Sequence, residues 1–186
     1  GRIFASRTFV GARHRLSIDQ FPNARAETEF AFRMLSSPEL RQTAWTAEEM
    51  ANMMILHPAI ELIGNRFFVN EMSNAENSLL TIADNGGGIG FVFGDPVADW
   101  HDIDFQNHQI NLTVGNCNPA ENFLGDMRCI PAQAAADLVN HLASRGEVLA
   151  AGDFISTGAA TVPQPFAAGD AVAADFGEIG RIRLQF

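Results

Sequence analysis

Residues 25–35 alternate between two classes of side chain, with Thr28, Phe30, Phe32 and Met34 on one face and Glu27, Glu29, Ala31 and Arg33 on the other. A period of two predicts a β-strand with one face toward a core and the other toward solvent. Residues 2–10 (RIFASRTFV) read as an earlier strand, followed by a polar turn around Gly11–Arg15. Thr46-Ala-Glu-Glu49 has the form of a capping box and predicts a short helix through about Ile55. His57-Pro58 ends that helix, because the residue before proline avoids helical backbone. Ala59–Ile63 is a second apolar run of strand length, with Glu61 in its middle.

Further along, Asn85-Gly-Gly-Gly88 predicts a turn into a strand at Ile89–Phe93, and the acidic stretch Asp95–Asp104 predicts a loop. Gln109–Val114 reads as another strand, and the Asn- and Gly-rich residues 115–130 as a long loop. Pro131 sits at a helix start. Ala134, Leu138, His141 and Leu142 have helical spacing, which puts His141 on the apolar face as a core residue, and Gly146 supplies the stop. Short strands follow at Phe154–Thr157, Ala171–Phe176 and Arg181–Phe186. The sum is a β-rich α+β domain with two or three helices, and 186 residues suit a single domain over 1–186.

Charge narrows the partners. Arginines supply all 12 basic residues against 22 acidic ones, a net charge of −10 with no basic cluster, so nucleic acid and anionic membrane are not expected. No apolar run approaches the roughly 18 residues of a membrane span, no signal peptide precedes the first strand, and a cytoplasmic protein is expected. Cys117 and Cys129 form no Cys-x-x-Cys motif, in keeping with a reducing compartment. The chain contains no lysine and no tyrosine, which excludes Schiff-base chemistry and a Walker phosphate loop within it. It opens at Gly1 without a methionine, the start expected of a processed or truncated product.

Three acids carry the candidate chemistry. Glu27 and Glu29, at i and i+2 of one strand, point the same way about 6–7 Å apart, a spacing at which two carboxylates can converge on one hard divalent cation. The alternative is the wet face of an ordinary strand, although like charges side by side repel unless neutralised. Glu61 lies among Ala59, Ile60, Leu62 and Ile63, and a carboxylate in such a segment needs a partner, a proton or a metal. Nearby Arg66 could equally pair with it. His101 and His108 among Asp99, Asp102 and Asp104 match no familiar zinc spacing and read as an acidic surface loop. The glycines at 86, 87, 88 and 90 spell no dinucleotide fingerprint, and there is no Gly-x-Ser-x-Gly elbow.

Four stretches resemble the fumarylacetoacetate hydrolase superfamily, in its 2-keto-4-pentenoate hydratase and 4-oxalocrotonate decarboxylase branch. They are Ala26-Glu-Thr-Glu-Phe-Ala-Phe32, Pro58-Ala-Ile-Glu61-Leu-Ile-Gly-Asn-Arg66, Ala83-Asp-Asn85 and residues 146–158 (GEVLAAGDFISTG). Gly169-Asp170 and Gly177-Glu-Ile-Gly180 fit as well, and the order holds over nearly the whole chain. The resemblance implies a mixed β-roll and a homo-oligomer. It implies Mg²⁺ or Mn²⁺ held by Glu27, Glu29 and Glu61, and a small 2-oxo acid substrate that chelates through its carboxylate and keto oxygens. It gives Asp84 and Thr157 as candidates for substrate contact or support of the site. The implied reaction is hydration of 2-hydroxypenta-2,4-dienoate to a 4-hydroxy-2-oxo acid by a lyase of aromatic-compound catabolism. Decarboxylation of a 4-oxalocrotonate-like acid and carbon–carbon hydrolysis of an acylpyruvate are the alternatives. Family chains carry a further region ahead of a segment like Gly1–Ser6, and that region supplies a lysine. The absence of lysine here supports a rival of another class, a catalytically silent binding or scaffolding subunit.

Overall fold

The computed structural model describes residues 1–21, 23–67 and 72–186. Among these residues ten strands occur in chain order: β1 (Thr8–Val10), β2 (Arg13–Arg15), β3 (Arg25–Met34), β4 (Met54–Ile63), β5 (Gly88–Phe93), β6 (Asn111–Val114), β7 (Phe154–Ala159), β8 (Gln164–Pro165), β9 (Ala171–Asp175) and β10 (Arg181–Gln185). Three α-helices are interspersed, α1 (Ala47–Ala51), α2 (Asn74–Ala83) and α3 (Pro131–Ala143). A six-stranded sheet runs β1-β5-β4-β3-β7, with β8 also on β3, and a four-stranded sheet runs β2-β10-β9-β6. Among the described residues only β1 with β5 and β2 with β10 pair in parallel, so the fold is the mixed, β-rich α+β type the sequence predicts. No helix among the described residues is long and apolar enough to cross a membrane.

The frame of the larger sheet is the antiparallel ladder of β3 and β4, which is continuous from Arg25 opposite Ile63 to Met34 opposite Met54. Alternation sorts its side chains. Phe30, Phe32, Met34, Leu56, Ile60 and Leu62 enter one hydrophobic cluster with Leu112, Val172, Ile182 and Leu184 of the smaller sheet. The opposite face carries Glu27, Glu29 and Glu61, and beyond them a small apolar group of Ala31, Ala59, Phe91 and Phe93.

β4 departs from expectation. The capping box at Thr46 and Glu49 forms, yet its helix stops at Ala51 and the strand begins at Met54, running straight through Pro58. Proline is unfavourable in a central strand because it cannot donate to the ladder. Here Pro58 O accepts from Gly94 N at 2.8 Å, while Gly94 O lacks the return donor that another residue at 58 would give. His57 Nδ1 lies 2.7 Å from Gly94 O. A carbonyl can only accept, so Nδ1 carries the proton and stands in for the missing N–H. Burial holds the His57 pKa below the usual histidine value, which keeps the ring neutral.

Other differences are local. Residues 2–10 form a 3₁₀ turn at Ala5–Arg7 before the short β1. The polar segment after Gly11 contributes β2, because its backbone pairs with β10. α2 is unforeseen, although Ser73 and Glu76 close a capping box at its start. In α3 the buried stripe is Pro131, Ala135, Ala136 and Val139, which turns His141 outward to solvent and corrects its expected place in the core.

Candidate metal centre

The register of β3 on β4 builds the site. Glu27 stands directly opposite Glu61, and Glu29 lies two residues along the same face. One carboxylate oxygen from each of the three lies within 4.8 Å of the others, and no further group of this kind occurs among the described residues. The pair at 27 and 29 is no solvated strand face: Glu27 is 8% exposed and Glu29 2%. Arg66 is not the partner of Glu61; its guanidinium pairs with Asp84.

Burial, followed by repulsion between neighbours, raises all three carboxyls. Glu27 is pushed up to about 8, Glu61 to about 8 and Glu29 to about 7. Desolvation disfavours the charged form, and like charges at this range disfavour it further. A cluster of two buried carboxylates and a half-buried third has few stable solutions: protons, or a cation. Oxygen donors of this hardness suit a divalent ion such as Mg²⁺ or Ca²⁺ rather than a thiolate-seeking metal.

Neighbouring backbone holds two of the three in place. The β3–β7 pairing shifts register between Glu29 and Ala31, where Ala159 and Ser156 are the partners. Thr157 and Gly158 of β7 therefore stand opposite the single Phe30 of β3, a bulge of one extra residue. Thr157 Oγ1 donates to Phe30 O at 2.6 Å, filling a ladder position that the bulge would leave open. Gly158, at φ 109°, turns its N–H to Glu29 Oε2 at 3.2 Å. Thr157 therefore supports the bulge, with its hydroxyl committed to backbone. Cys129 Sγ donates to Thr157 O at 2.8 Å on the far side.

Glu61 is held from the other edge. A Cβ on Gly88 would stand 2.7 Å from Glu61 Oε1, so glycine leaves the space that the carboxylate fills. Gly88 is fixed in turn by Arg66, whose Nη2 donates to Gly88 O at 2.8 Å. The same guanidinium bonds Asp84 Oδ1 at 2.7 Å, and Arg66 N donates to Asp84 Oδ2 at 3.0 Å. Asp84 thus lies outside the carboxylate cluster, its side chain spent on Arg66, and connects to Glu61 through Arg66 and Gly88. In the sequence Gly88 reads only as part of a turn and Gly158 only as the last residue of the 146–158 stretch, and neither carries an assigned role beside the glutamates.

Glu29 and Glu61 open into a cavity of 840 Å³ whose walls include Ile3, Phe91, Phe154 and Ser156. Ser156 Oγ is buried and has no hydrogen-bond partner within the protein. A second cavity, of 590 Å³ beside Asn111, Asn122 and Asp175, has no acidic cluster.

No family model matches the chain. It is 30% identical over 134 residues to the 4-oxalocrotonate decarboxylase of Pseudomonas sp. (strain CF600), a match covering 69% of this chain and 47% of the relative. The chain therefore spans about half the length of the curated relatives it matches. Among solved structures it is similar to the 4-oxalocrotonate decarboxylase of Pseudomonas putida G7 complexed with magnesium and adipate. That likeness has a TM-score of 0.78 at 21% identity and covers 97% of this chain and 66% of the other. The same enzyme with calcium and acetate gives a TM-score of 0.75 at 22% identity, over the same shares. A fumarylacetoacetate hydrolase family protein of Yersinia pestis CO92 gives 0.58 at 16%, over 96% and 78%. With the motif order, the mixed β-rich fold and these relatives together, the chain belongs to the fumarylacetoacetate hydrolase superfamily.

Proposed function

We propose that the chain is a divalent-metal-dependent enzyme acting on a small unsaturated 2-oxo acid, with decarboxylation of a 4-oxalocrotonate-like acid as its reaction. The observation that carries the metal is the convergence of Glu27, Glu29 and Glu61 within 4.8 Å on one face of the sheet. The choice of decarboxylation rests on the curated relatives, both 4-oxalocrotonate decarboxylases. Glu27, Glu29 and Glu61 would hold Mg²⁺ or Mn²⁺, and the two similar Pseudomonas putida G7 structures are complexed with magnesium and with calcium. The ion supplies Lewis-acid stabilisation of the negative charge that develops on the 2-oxo group.

The remaining work falls to the chain's own groups. Gly158 N–H fixes the rotamer of Glu29, and Gly88 gives Glu61 room to face the same point. Ser156 lines the cavity with a buried Oγ that has no protein partner. Phe91 and Ile3 exclude water beside the carboxylates. Asp84 and Thr157 act at one remove, through Gly88 and through the bulge.

The test is product analysis with Mg²⁺. The reading expects CO₂ release from 4-oxalocrotonate that EDTA abolishes and Glu61→Gln lowers by orders of magnitude. Hydration of 2-hydroxypenta-2,4-dienoate without CO₂ release would make the chain a hydratase instead. No turnover of either substrate, or of an acylpyruvate, would leave the binding or scaffolding role.

A further inference from the structure

The cavity that opens from Glu29 and Glu61 runs on beyond the reach of a six-carbon acid. Leu138 and Leu142, one turn apart on α3, line it together with Leu149 and Phe154, and α3 packs on β7. Phe154 pairs with Arg33, four residues along β3 from Glu29, so this end stands roughly 13 Å from the carboxylates by strand rise. A carbon–carbon bond adds roughly 1.3 Å along an extended chain, so six carbons cover about half of that distance and about ten bonds cover it all. The volume of 840 Å³ is likewise that of pockets enclosing drug-sized ligands. Aromatic surface links the two ends. Phe91, opposite Glu61 in the β4–β5 ladder, stacks on Phe93 at 5.6 Å, and Phe93 stacks on Phe154 at 4.0 Å.

Charged groups border this cavity, and their places set which kind of tail it takes. Gly1 N lies beside Gly86, in the turn that leads to Gly88, and so at the carboxylate end. Arg7, bonded to neutral Gln20, precedes β1, and β1 and β7 are opposite edges of the six-stranded sheet, roughly 19 Å apart. Arg33 has a buried Nε and is not part of the cavity wall. Arg2 does reach the leucine end, where it is paired at 2.7 Å with Glu147, whose N bonds Leu142 O. Asp153 adjoins Phe154, and its Oδ2 accepts from Ala150 N at 2.7 Å, beside Leu149. Among the described residues, then, the leucine end offers a second carboxylate no unpaired cation in its wall and one acid that repels it.

We infer that the substrate is a 2-oxo acid whose apolar alkyl or aryl substituent carries it to about ten carbons and lies against Leu138, Leu142, Leu149 and Phe154. This deepens the reading above and rests on it, with 4-oxalocrotonate as the unsubstituted parent of the class. The four side chains are only half-buried, so apolar surface is left for a ligand to cover. Each methylene moved from water onto such surface gains about fourfold in affinity. The chelating end fixes where the acid binds, and the substituent decides which acid binds most tightly.

Binding tests the subsite apart from turnover. Calorimetry on the Mg²⁺-loaded full chain compares pyruvate, 2-oxohexanoate, 2-oxodecanoate and the diacid 2-oxodecanedioate, with decanoate as the acid that lacks a 2-oxo group. 2-Oxodecanoate should bind on the order of a hundredfold more tightly than 2-oxohexanoate, for four further methylenes. 2-Oxodecanedioate should bind at least about tenfold more weakly than 2-oxodecanoate. Leu142→Asn, or Leu149→Asn on the loop should the helix variant fail to fold, should weaken 2-oxodecanoate about tenfold and leave pyruvate unchanged. With pyruvate still bound, 2-oxodecanoate no tighter than 2-oxohexanoate, or no tighter than the diacid, would overturn the apolar subsite alone. Decanoate as tight as 2-oxodecanoate would overturn it too, because the apolar end would then bind independently of the metal. Absence of Mg²⁺-dependent binding by every 2-oxo acid would overturn the subsite together with the metal reading beneath it.

Discussion

Replacing Glu61 by glutamine separates what the carboxylate cluster does for a cation from what it costs the fold. With no cation bound, each raised carboxyl keeps a proton in the folded chain that the unfolded chain has released above about 4.5. The folded state therefore holds more protons between pH 4.5 and about 8, and its stability falls as pH rises through that window. For Glu61 a rise from 4.5 to about 8 corresponds to roughly 4 kcal/mol by pH 8. Partial exposure toward the cavity reduces this to on the order of 2–3 kcal/mol, and to less than about 1 kcal/mol at pH 5. The glutamine side chain has no charge to desolvate and relieves Glu27 and Glu29 as well. In EDTA, Glu61→Gln should then melt roughly 5–10 °C above the parent at pH 8 and within a few degrees of it at pH 5. With Mg²⁺ at pH 8 the order should invert, since the parent gains from binding and the variant has lost a ligand. Thermal unfolding by circular dichroism at four pH values, with and without Mg²⁺, reads all of this. A variant less stable than the parent in EDTA at pH 8, or a difference that does not change with pH, would refute the reasoning.

Three further outcomes follow from the same geometry. Because Glu27, Glu29 and Glu61 are protonated up to about 7–8, Mg²⁺ binding near pH 7 should release protons. Calorimetry in buffers of different ionisation enthalpy would show it, and identical heats in all buffers would contradict it. Gly88→Ala places a methyl 2.7 Å from Glu61 Oε1, and should weaken Mg²⁺ affinity about tenfold and cost about 1–3 kcal/mol of stability. Unchanged affinity in a titration would show that Glu61 is not held there. Arg66→Ala leaves Asp84 without its cation and Gly88 O without its donor, and should lower stability by about 1–2 kcal/mol in chemical denaturation. Arg66→Lys should recover only part, because a lysine cannot reach Asp84 and Gly88 O together.

Much of this was legible in the chain. The alternation at 25–35 gives β3, and the glutamate inside an apolar run marks β4. Alternation cannot show whether the polar face meets water. In a central strand both faces can be covered, and here the face read as wet holds buried carboxylates. The pairing of Glu27 with Glu61 is a matter of register, which depends on both strands and the turn between them. Pro58 predicted a break and instead sits inside a strand, because the neighbouring imidazole supplies the bond it cannot make. Asp84 and Thr157 were found by resemblance, but their partners, Arg66 and Phe30 O, are set by tertiary contacts. The misplaced His141 shows how a helical stripe read from four residues can be rotated by one position.

The most direct test of the central claim is the position of a bound cation. Crystals of the chain soaked in Mn²⁺ and measured for anomalous scattering should show a peak bridging the carboxylates of Glu27, Glu29 and Glu61, and that peak should be absent from crystals of Glu61→Gln. A peak elsewhere in the molecule, with none among these three side chains, would contradict the account.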